Sequence, residues 1–255
     1  MRALILGASS GFGAASALAF ATAGWDVAGV HLDRRVTLPL AEAVAQGVRD
    51  AGQRADFFNI NAADAEKRAE VLDALDAAGG GVQVLMHSLA FGSLRQIVDL
   101  DGGKELTDRQ LTMTVEVMAH SLLWWSRELV HRGLMGHGGR IFAMSSSGSM
   151  VALPSYGAVS AAKASLESHV RQLAVELAPA GITANTVMAG VTDTPALRKI
   201  PGHERLMAQA LERNPQGRLT QVDDVAQAIV TLSSPSLQWM TGNVIKIDGG
   251  ETISG

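Results

Sequence analysis

Short apolar runs alternate with longer segments of helical periodicity along the chain, and this alternation is the feature that most restricts its fold. The runs predict strands over residues 3–6, 27–31, 55–58, 82–86, 140–144, 183–187 and 244–247. Between them, apolar residues recur with a period near 3.6 and predict helices over residues 13–23, 40–51, 65–77, 108–132, 154–178 and 222–232. Strands that alternate with helices form right-handed crossovers and a parallel sheet covered on both faces. We therefore expect an α/β fold, a Rossmann-like doubly wound parallel sheet of about seven strands with helices on both faces.

The chain is expected to form a single domain over residues 1–255. Its hydrophobic residues make up 47% of the sequence, which is enough for a large core, and no Pro/Ser-rich linker or internal repeat divides it. Residues 194–217 differ from the rest, because prolines flank a short helical pattern that interrupts the alternation. Such an excursion often covers a ligand site at the carboxyl ends of the strands. We predict that this segment is a substrate-binding lid.

Charge and composition exclude several classes of function. A net charge of −4 argues against a nucleic-acid partner. The chain has no cysteine, so disulfides, thiolate nucleophiles and cysteine-based metal sites are absent, and its histidines lack metal-ligand spacing. The first apolar run is too short for a secretory signal, and no run is long enough to cross a membrane. We expect a cytoplasmic protein with no metal and no membrane partner.

A glycine-rich turn follows the first predicted strand and opens the first predicted helix. Gly7, Gly11 and Gly13 stand there in the pattern Gly-x3-Gly-x-Gly. Glycines of this kind allow a tight turn, a close approach of the backbone to a pyrophosphate and close packing of the helix on the strand. The N-terminus of the helix then offers free N–H groups to phosphates. The pattern predicts nucleotide binding, and the candidate contacts between the glycines are Ser9, Ser10 and Phe12.

This spacing resembles the short-chain dehydrogenase/reductase family, and the resemblance covers essentially the whole chain. Ala189-Gly190-Val191-x2-Thr194 is similar to the family's Pro-Gly-x3-Thr segment beside the nicotinamide, and Thr241-Gly242 with Ile247-Asp248-Gly249-Gly250 is similar to its last strand and turn. The resemblance implies NAD(P) binding and a homodimer or homotetramer built on the fourth and fifth helices. The further cofactor-binding residues that it implies are Asn61, Ala62, Ser88, Leu89, Ala90, Gly190, Val191 and Thr194.

The end of the second predicted strand bears on the choice between NADPH and NADH. NAD-specific members of the family place there an acidic residue that binds both ribose hydroxyls. By spacing, this place falls near His31, and Asp33 lies two residues further on. Arg34 and Arg35 follow, and a pair of guanidinium groups could hold a 2′-phosphate. The arginine pair favours NADPH, while Asp33 leaves NADH open.

The single tyrosine, Tyr156, stands seven residues before Lys163. Seven residues bring two side chains to within ~20° of the same helix face. Most short-chain dehydrogenases have their tyrosine four residues before the lysine, at the position of Val159, whereas Tyr-x6-Lys is the spacing of the bacterial enoyl-acyl-carrier-protein reductases in this family. His87-Ser88-Leu89-Ala90-Phe91 is similar to the His-Ser-Ile-Gly-Phe of that branch. The chain is therefore identified as a member of the enoyl reductase branch.

This resemblance implies reduction of the carbon–carbon double bond of a trans-2-enoyl thioester, carried on acyl carrier protein or CoA, by hydride from NAD(P)H. Tyr156 would stabilise the enolate oxygen, and Lys163 would hold the nicotinamide ribose. The setting that it implies is fatty-acid or polyketide-like metabolism.

The sequence leaves two alternatives to enoyl reduction open. One is an NAD(P)H-dependent carbonyl reductase of the 3-ketoacyl type, which would use Ser146 and Tyr156. Ser146 matches the position of the serine in the ketone-reducing branch, but Met118 stands where that branch has its helix-borne asparagine. The other is a nucleotide sensor without turnover, in which loss of the tyrosine or the lysine would be expected.

Overall fold

A parallel sheet of seven strands forms the centre of the computed structural model, which describes residues 1–254. The strands are β1 (Arg2–Leu6), β2 (Asp26–His31), β3 (Ala55–Asn59), β4 (Val84–His87), β5 (Arg140–Ser146), β6 (Thr183–Ala189) and β7 (Val244–Ile247). They lie in the order β3-β2-β1-β4-β5-β6-β7. The chain thus builds outward from β1 to β3 and then returns to place β4 on the other side of β1. This reversal opens a crevice at the carboxyl ends of β1 and β4, the usual ligand site of such sheets.

Helices cover both faces of the sheet, and the single Rossmann-like domain expected from the sequence is confirmed. The helices are α1 (Gly11–Thr22), α2 (Leu38–Asp50), α3 (Ala65–Ala77), α4 (Asp108–Val115), α5 (Ser121–His131), α6 (Gly157–Glu176), α7 (His203–Arg213) and α8 (Val222–Leu232). None of these, within residues 1–254, is both long and apolar enough to cross a membrane.

Alternate residues of β1 pack into two separate hydrophobic cores, one on each face of the sheet. Leu4 and Leu6 of β1 pack with α3, α5 and α6, while Ala3 and Ile5 pack with α1, α2 and α8. On the first face, Trp125 is completely buried and its indole N–H donates to the carbonyl of Ala62 at 2.8 Å. The period of two along the strand therefore fixes which helices lie on which face.

The helix predicted over residues 108–132 is interrupted, which corrects the expectation of one continuous α-helix. A π-helical turn, Glu116–His120, separates α4 from α5. The hydroxyls of Thr114 and Ser121 donate to the carbonyls four residues earlier, a contact that competes with the regular helical hydrogen bonds. Met118, which lies in this π turn, belongs to the same buried cluster as Tyr156. Turns of this kind occur frequently at functional sites.

Candidate active site

The glycine turn packs directly against the end of β4 and against itself. Gly7 has φ +93°, and a Cβ there would overlap the carbonyl of Ser88. A Cβ at Gly13 would overlap the carbonyl of Gly7. Thr194 lies over the same turn, with its methyl carbon 3.6 Å from the place of a Cβ at Gly11. The structure therefore brings these predicted cofactor residues together at the sheet crevice.

The backbone N–H groups at the start of α1 are available to an anion. Ser10 occupies the N-cap position but its side chain makes no capping hydrogen bond. The first turn carries no acidic side chain, so the positive end of the helix dipole is not neutralised there. Phe12 is directed into the core beneath the turn. The turn thus fits a dinucleotide pyrophosphate.

Replacing Gly13 by alanine should lower the free energy of unfolding by about 1–3 kcal/mol, since the new methyl group must displace backbone atoms of Gly7. Urea unfolding at a fixed protein concentration measures this change. Gly136 is the matched control, because a Cβ there meets nothing within 4 Å. Equal stabilities of the Gly13→Ala and Gly136→Ala variants would contradict the prediction.

At the end of β2, the carboxylate of Asp33 is turned toward the protein. Its Oδ2 lies 2.9 Å from Nδ1 of His31. Burial acts to raise the pKa of Asp33, but hydrogen bonds from Thr37, Ser9 and His31 outweigh it and hold that pKa below its usual range. Asn59 at the end of β3 fixes the backbone, accepting from the Asp33 N–H at 2.9 Å and donating to its carbonyl at 3.0 Å. Sequence reasoning did not identify Asn59.

Arg34 and Arg35 are both exposed in the same loop, and within residues 1–254 neither forms an ion pair with a carboxylate. Asn61 and Ala62 follow β3 at the same edge of the sheet. The Asn61 side chain is exposed and accepts from the N–H of Ala63 at 3.0 Å. Two exposed cationic side chains thus lie in the loop after β2.

Leu89 and Ala90 continue the chain beyond β4 and Ser88. Leu89 is half-buried, and its side chain reaches to 3.5 Å from the position of a Cβ on Gly7. Ala90 is exposed. Leu89 therefore lies beside the glycine turn.

Tyr156 is buried at the N-cap of α6, with only 8% of its surface exposed. Its ring packs with Met118 and Val159 in a small apolar cluster, and a Cβ at Gly148 would overlap the ring. Burial raises the pKa of the Tyr156 phenol, and hydrogen bonding with Ser146 offsets part of this rise. The phenol is therefore neutral near pH 7 and can donate a hydrogen bond.

The residue before Tyr156 has a strained backbone. Ser155 has φ +60°, and it is the only non-glycine residue in 1–254 with a positive φ. Such strain costs about 1–3 kcal/mol and is typical of active sites. It also explains why α6 begins at Gly157 and not at residue 154, where the sequence predicted its start.

Lys163 is buried on α6, and its Nζ donates to the carbonyl of Met144 at 2.7 Å. Burial lowers the pKa of Lys163 to about 8, and Glu167 opposes this shift.

His87 is the last residue of β4, and its Nε2 lies 2.8 Å from the hydroxyl of Ser121. Burial and the nearby Lys163 lower the pKa of His87 to about 3, so its imidazole is neutral. The site therefore contains a cationic donor beside a neutral phenol and a neutral imidazole.

The segment after β6 is held by the C-terminal turn. The N–H of Val191 donates to Oε2 of Glu251 at 2.9 Å, and a Cβ at Gly190 would overlap the hydroxyl of Thr220. Burial raises the pKa of Glu251, although the Val191 N–H opposes the rise. Glu251 was missed from the sequence, where its only signal is its place after the Asp248-Gly-Gly turn.

No group of three or more potential metal ligands occurs within the described chain, residues 1–254. The features present instead are a glycine cradle, an uncapped helix N-terminus and a buried lysine donor at one edge of a doubly wound sheet. These features fit a nicotinamide dinucleotide.

Comparison with known proteins agrees with this geometry. Residues 7–252 match the family described as enoyl-(acyl carrier protein) reductase. The 1-cyclohexenylcarbonyl-CoA reductase of Streptomyces collinus is 31% identical over 98% of this chain and 86% of its own length.

Two solved structures are similar over nearly the whole chain. The enoyl-[acyl-carrier-protein] reductase (NADH) of Aquifex aeolicus superposes with a TM-score of 0.87 at 26% identity, covering 100% of this chain and 97% of that one. A short-chain dehydrogenase of Burkholderia cenocepacia, solved in complex with NADP, gives a TM-score of 0.84 at 30% identity, covering 98% and 97%. The chain therefore belongs to the enoyl-(acyl carrier protein) reductase family within the short-chain dehydrogenases and reductases, and it is an NAD(P)H-dependent oxidoreductase.

Proposed function

We propose that the chain reduces the carbon–carbon double bond of a trans-2-enoyl thioester, carried on acyl carrier protein or CoA. The observation that carries this proposal is the placement of Tyr156 at the N-cap of α6, seven residues before Lys163, in an apolar cluster that includes Met118. A methionine at this place cannot relay a proton, whereas the apolar surroundings suit an acyl chain. The similarity to two enoyl reductases supports the same reaction.

The chemistry needs a hydrogen-bond donor at the thioester oxygen that keeps its proton near pH 7. A bound NAD(P)H would supply a hydride to the β-carbon, and negative charge would then develop on that oxygen. Tyr156 donates its O–H to this enolate oxygen, which stabilises the charge as it forms. The raised pKa of Tyr156 keeps the donor proton in place, and the α-carbon takes its proton from water. Lys163 binds the nicotinamide ribose through its ammonium group.

Residues 194–217 form the lid over this site in our proposal. Ile200 from the segment packs on the cluster around Tyr156. At the far end of the segment, Asn214 is buried and donates to the carbonyl of Asp248 at 3.0 Å. One end of the segment therefore packs on the cluster that contains Tyr156, while the other is anchored to the C-terminal turn.

The competing function is reduction of a ketone, and one observation favours it. Ser146 interacts with the Tyr156 phenol, and a serine–tyrosine pair can protonate a carbonyl oxygen. The similarity to a short-chain dehydrogenase is compatible with this reaction.

A comparison of two thioester substrates separates the two functions. Absorbance at 340 nm is followed with crotonyl thioester and with acetoacetyl thioester, each with NADPH and with NADH. Oxidation of the cofactor with crotonyl thioester alone is the expected result. Oxidation with acetoacetyl thioester alone would overturn the proposal in favour of ketone reduction.

NADPH is the proposed cofactor, because Asp33 is engaged by His31 while Arg34 and Arg35 are exposed and unpaired within residues 1–254. The Arg34→Ala/Arg35→Ala double variant should bind NADPH about 10–100-fold more weakly, since a hydrogen bond to a charged group contributes ~1.5–3 kcal/mol. Its affinity for NADH should change less than about threefold. Fluorescence titration measures both dissociation constants. The exposed Arg49→Ala on α2 is the control, and equal losses for NADPH and NADH would contradict the assignment.

A second copy of the chain is the proposed partner for the groove between α5 and α6. This groove has a volume of about 490 Å³ and is lined by Leu123, Trp124 and Leu173 among others. The guanidinium of Arg127 lies 4.7 Å above the ring of Trp124. We propose a homodimer or homotetramer, with the groove as a contact. Light scattering of the wild type and a Leu123→Glu variant tests this, and a monomeric wild type would refute it.

The working location that we propose is the cytoplasm, in fatty-acid or polyketide-like metabolism. Reduced nicotinamide cofactors and acyl thioesters are made and used inside the cell, which supports this placement. Fractionation of the native cells tests it, and recovery outside the cytoplasmic fraction would refute it.

A further inference from the structure

Two side chains on one face of α6 hold consecutive residues at the end of β5. Lys163 Nζ donates to the carbonyl of Met144 at 2.7 Å. One helical turn further on, a carboxylate oxygen of Glu167 accepts a short hydrogen bond from the hydroxyl of Ser145. Residues four apart on a helix lie on the same face, so the carboxylate and the ammonium are neighbours. The proposed enoyl reductase chemistry does not use Glu167.

The position of Glu167 links two parts of the site. Ser145, which it holds, directly precedes Ser146, whose hydroxyl interacts with the Tyr156 phenol. Lys163, which it neighbours, is the proposed ribose donor. A substitution at Glu167 would therefore affect the cofactor site through Ser145 and Lys163, although Glu167 itself would contact neither the substrate nor the cofactor.

The other titratable groups around Lys163 do not compensate its charge. On β4, His87 is neutral because its pKa lies near 3. At the N-cap of α6, burial raises the pKa of Tyr156, so the phenol is neutral as well. The end of β5 contributes the Met144 carbonyl and the Ser145 hydroxyl, which are dipoles without net charge. Glu167 is the group that raises the pKa of Lys163 against the effect of burial.

We infer that Glu167 is a positioning residue of the cofactor site, whose carboxylate, fixed by Ser145, keeps the Lys163 ammonium charged and aligned for the nicotinamide ribose. This inference rests on the proposed role of Lys163. It predicts that, as the pH is raised, the affinity for the cofactor begins to fall at a lower pH in the Glu167→Gln variant than in the wild type. The glutamine keeps the shape and an acceptor oxygen for Ser145 but lacks the charge.

The test is the dissociation constant for NADPH, measured by fluorescence titration between pH 6.5 and 9.5. In the wild type, binding should weaken above about pH 8, where Lys163 loses its proton. In Glu167→Gln this weakening should begin about one pH unit lower. Ser145→Ala should give a smaller shift in the same direction, because the charge stays but is no longer fixed. The exposed Glu66→Gln on α3 should match the wild type.

The outcomes separate this inference from the role of Lys163 itself. A Lys163→Met variant should lose the alkaline weakening. If it does, and Glu167→Gln and Ser145→Ala both keep the wild-type profile, the inference on Glu167 is overturned while Lys163 keeps its role. If Lys163→Met retains the wild-type profile, both assignments are overturned. Circular dichroism shows which variants are folded, and Ser145→Ala serves as the test if Glu167→Gln does not fold.

Discussion

In the Tyr156→Phe variant, we expect turnover of a crotonyl thioester to fall by about 10²–10³-fold, the usual loss when an oxyanion donor is removed. The phenyl ring can keep its contacts with Met118, Val159 and Ala162, so the cluster around it should remain packed. Only the O–H group is lost, and with it the donor to the developing enolate. The dissociation constant for NADPH should stay within about threefold of the wild type, since Lys163 is unchanged.

Steady-state kinetics at saturating NADPH measure the loss, and a cofactor titration measures binding. Ser146→Ala is the matched variant in the same site. If the enoyl reaction is the right one, this variant should retain most of its turnover, because Ser146 contacts Tyr156 but is not the donor. Near-wild-type turnover in Tyr156→Phe would refute the role of the phenol. A larger loss in Ser146→Ala than in Tyr156→Phe would favour carbonyl reduction.

Most of the fold could be predicted because the apolar residues that become buried recur in the sequence with the period of the helix or strand that carries them. The alternating residues of β1 enter two different cores, and the corresponding strand was predicted from its apolar run. The register of Tyr156 and Lys163 follows from the helical repeat alone. The glycine turn was readable because backbone contacts at Gly7 and Gly13 exclude any side chain.

The rest of the site depends on contacts between side chains that are distant in sequence. Three hydrogen bonds of the site join residues that are far apart in the sequence. The pairs are Asn59 and Asp33, separated by 26 residues, Glu251 and Val191, separated by 60, and Glu167 and Ser145, separated by 22. Local periodicity carries no information about such pairs. The π turn could not be predicted from the sequence either, because one extra residue in a long helix changes the spacing of the apolar residues very little.

Acid should destabilise this protein through His87, by about 3 kcal/mol between pH 7 and pH 4. Complete burial, with a further contribution from Lys163, lowers the pKa of His87 to about 3, while an unfolded histidine titrates near 6.5. Between these two values the unfolded state binds a proton that the folded state does not. Stability is therefore lost as the pH falls from about 6.5 toward 3, and it is fully present above that window.

The His87→Gln variant separates this effect from other acid-sensitive groups. Its amide can still hydrogen-bond to the hydroxyl of Ser121 but cannot take up a proton. At pH 7 the variant should be less stable than the wild type, yet its free energy of unfolding should decline about 3 kcal/mol less on going to pH 4. Urea unfolding at one protein concentration measures both values, because assembly would make them depend on concentration.

An exposed histidine provides the control for this experiment. His137 lies on the surface, so His137→Gln should decline with acid as the wild type does. Equal acid declines in all three proteins would mean that His87 takes up a proton as readily in the folded state as in the unfolded state. The imidazole beside Lys163 would then become charged below about pH 6.5, and at such pH the site would hold two adjacent cations where the proposed chemistry needs one.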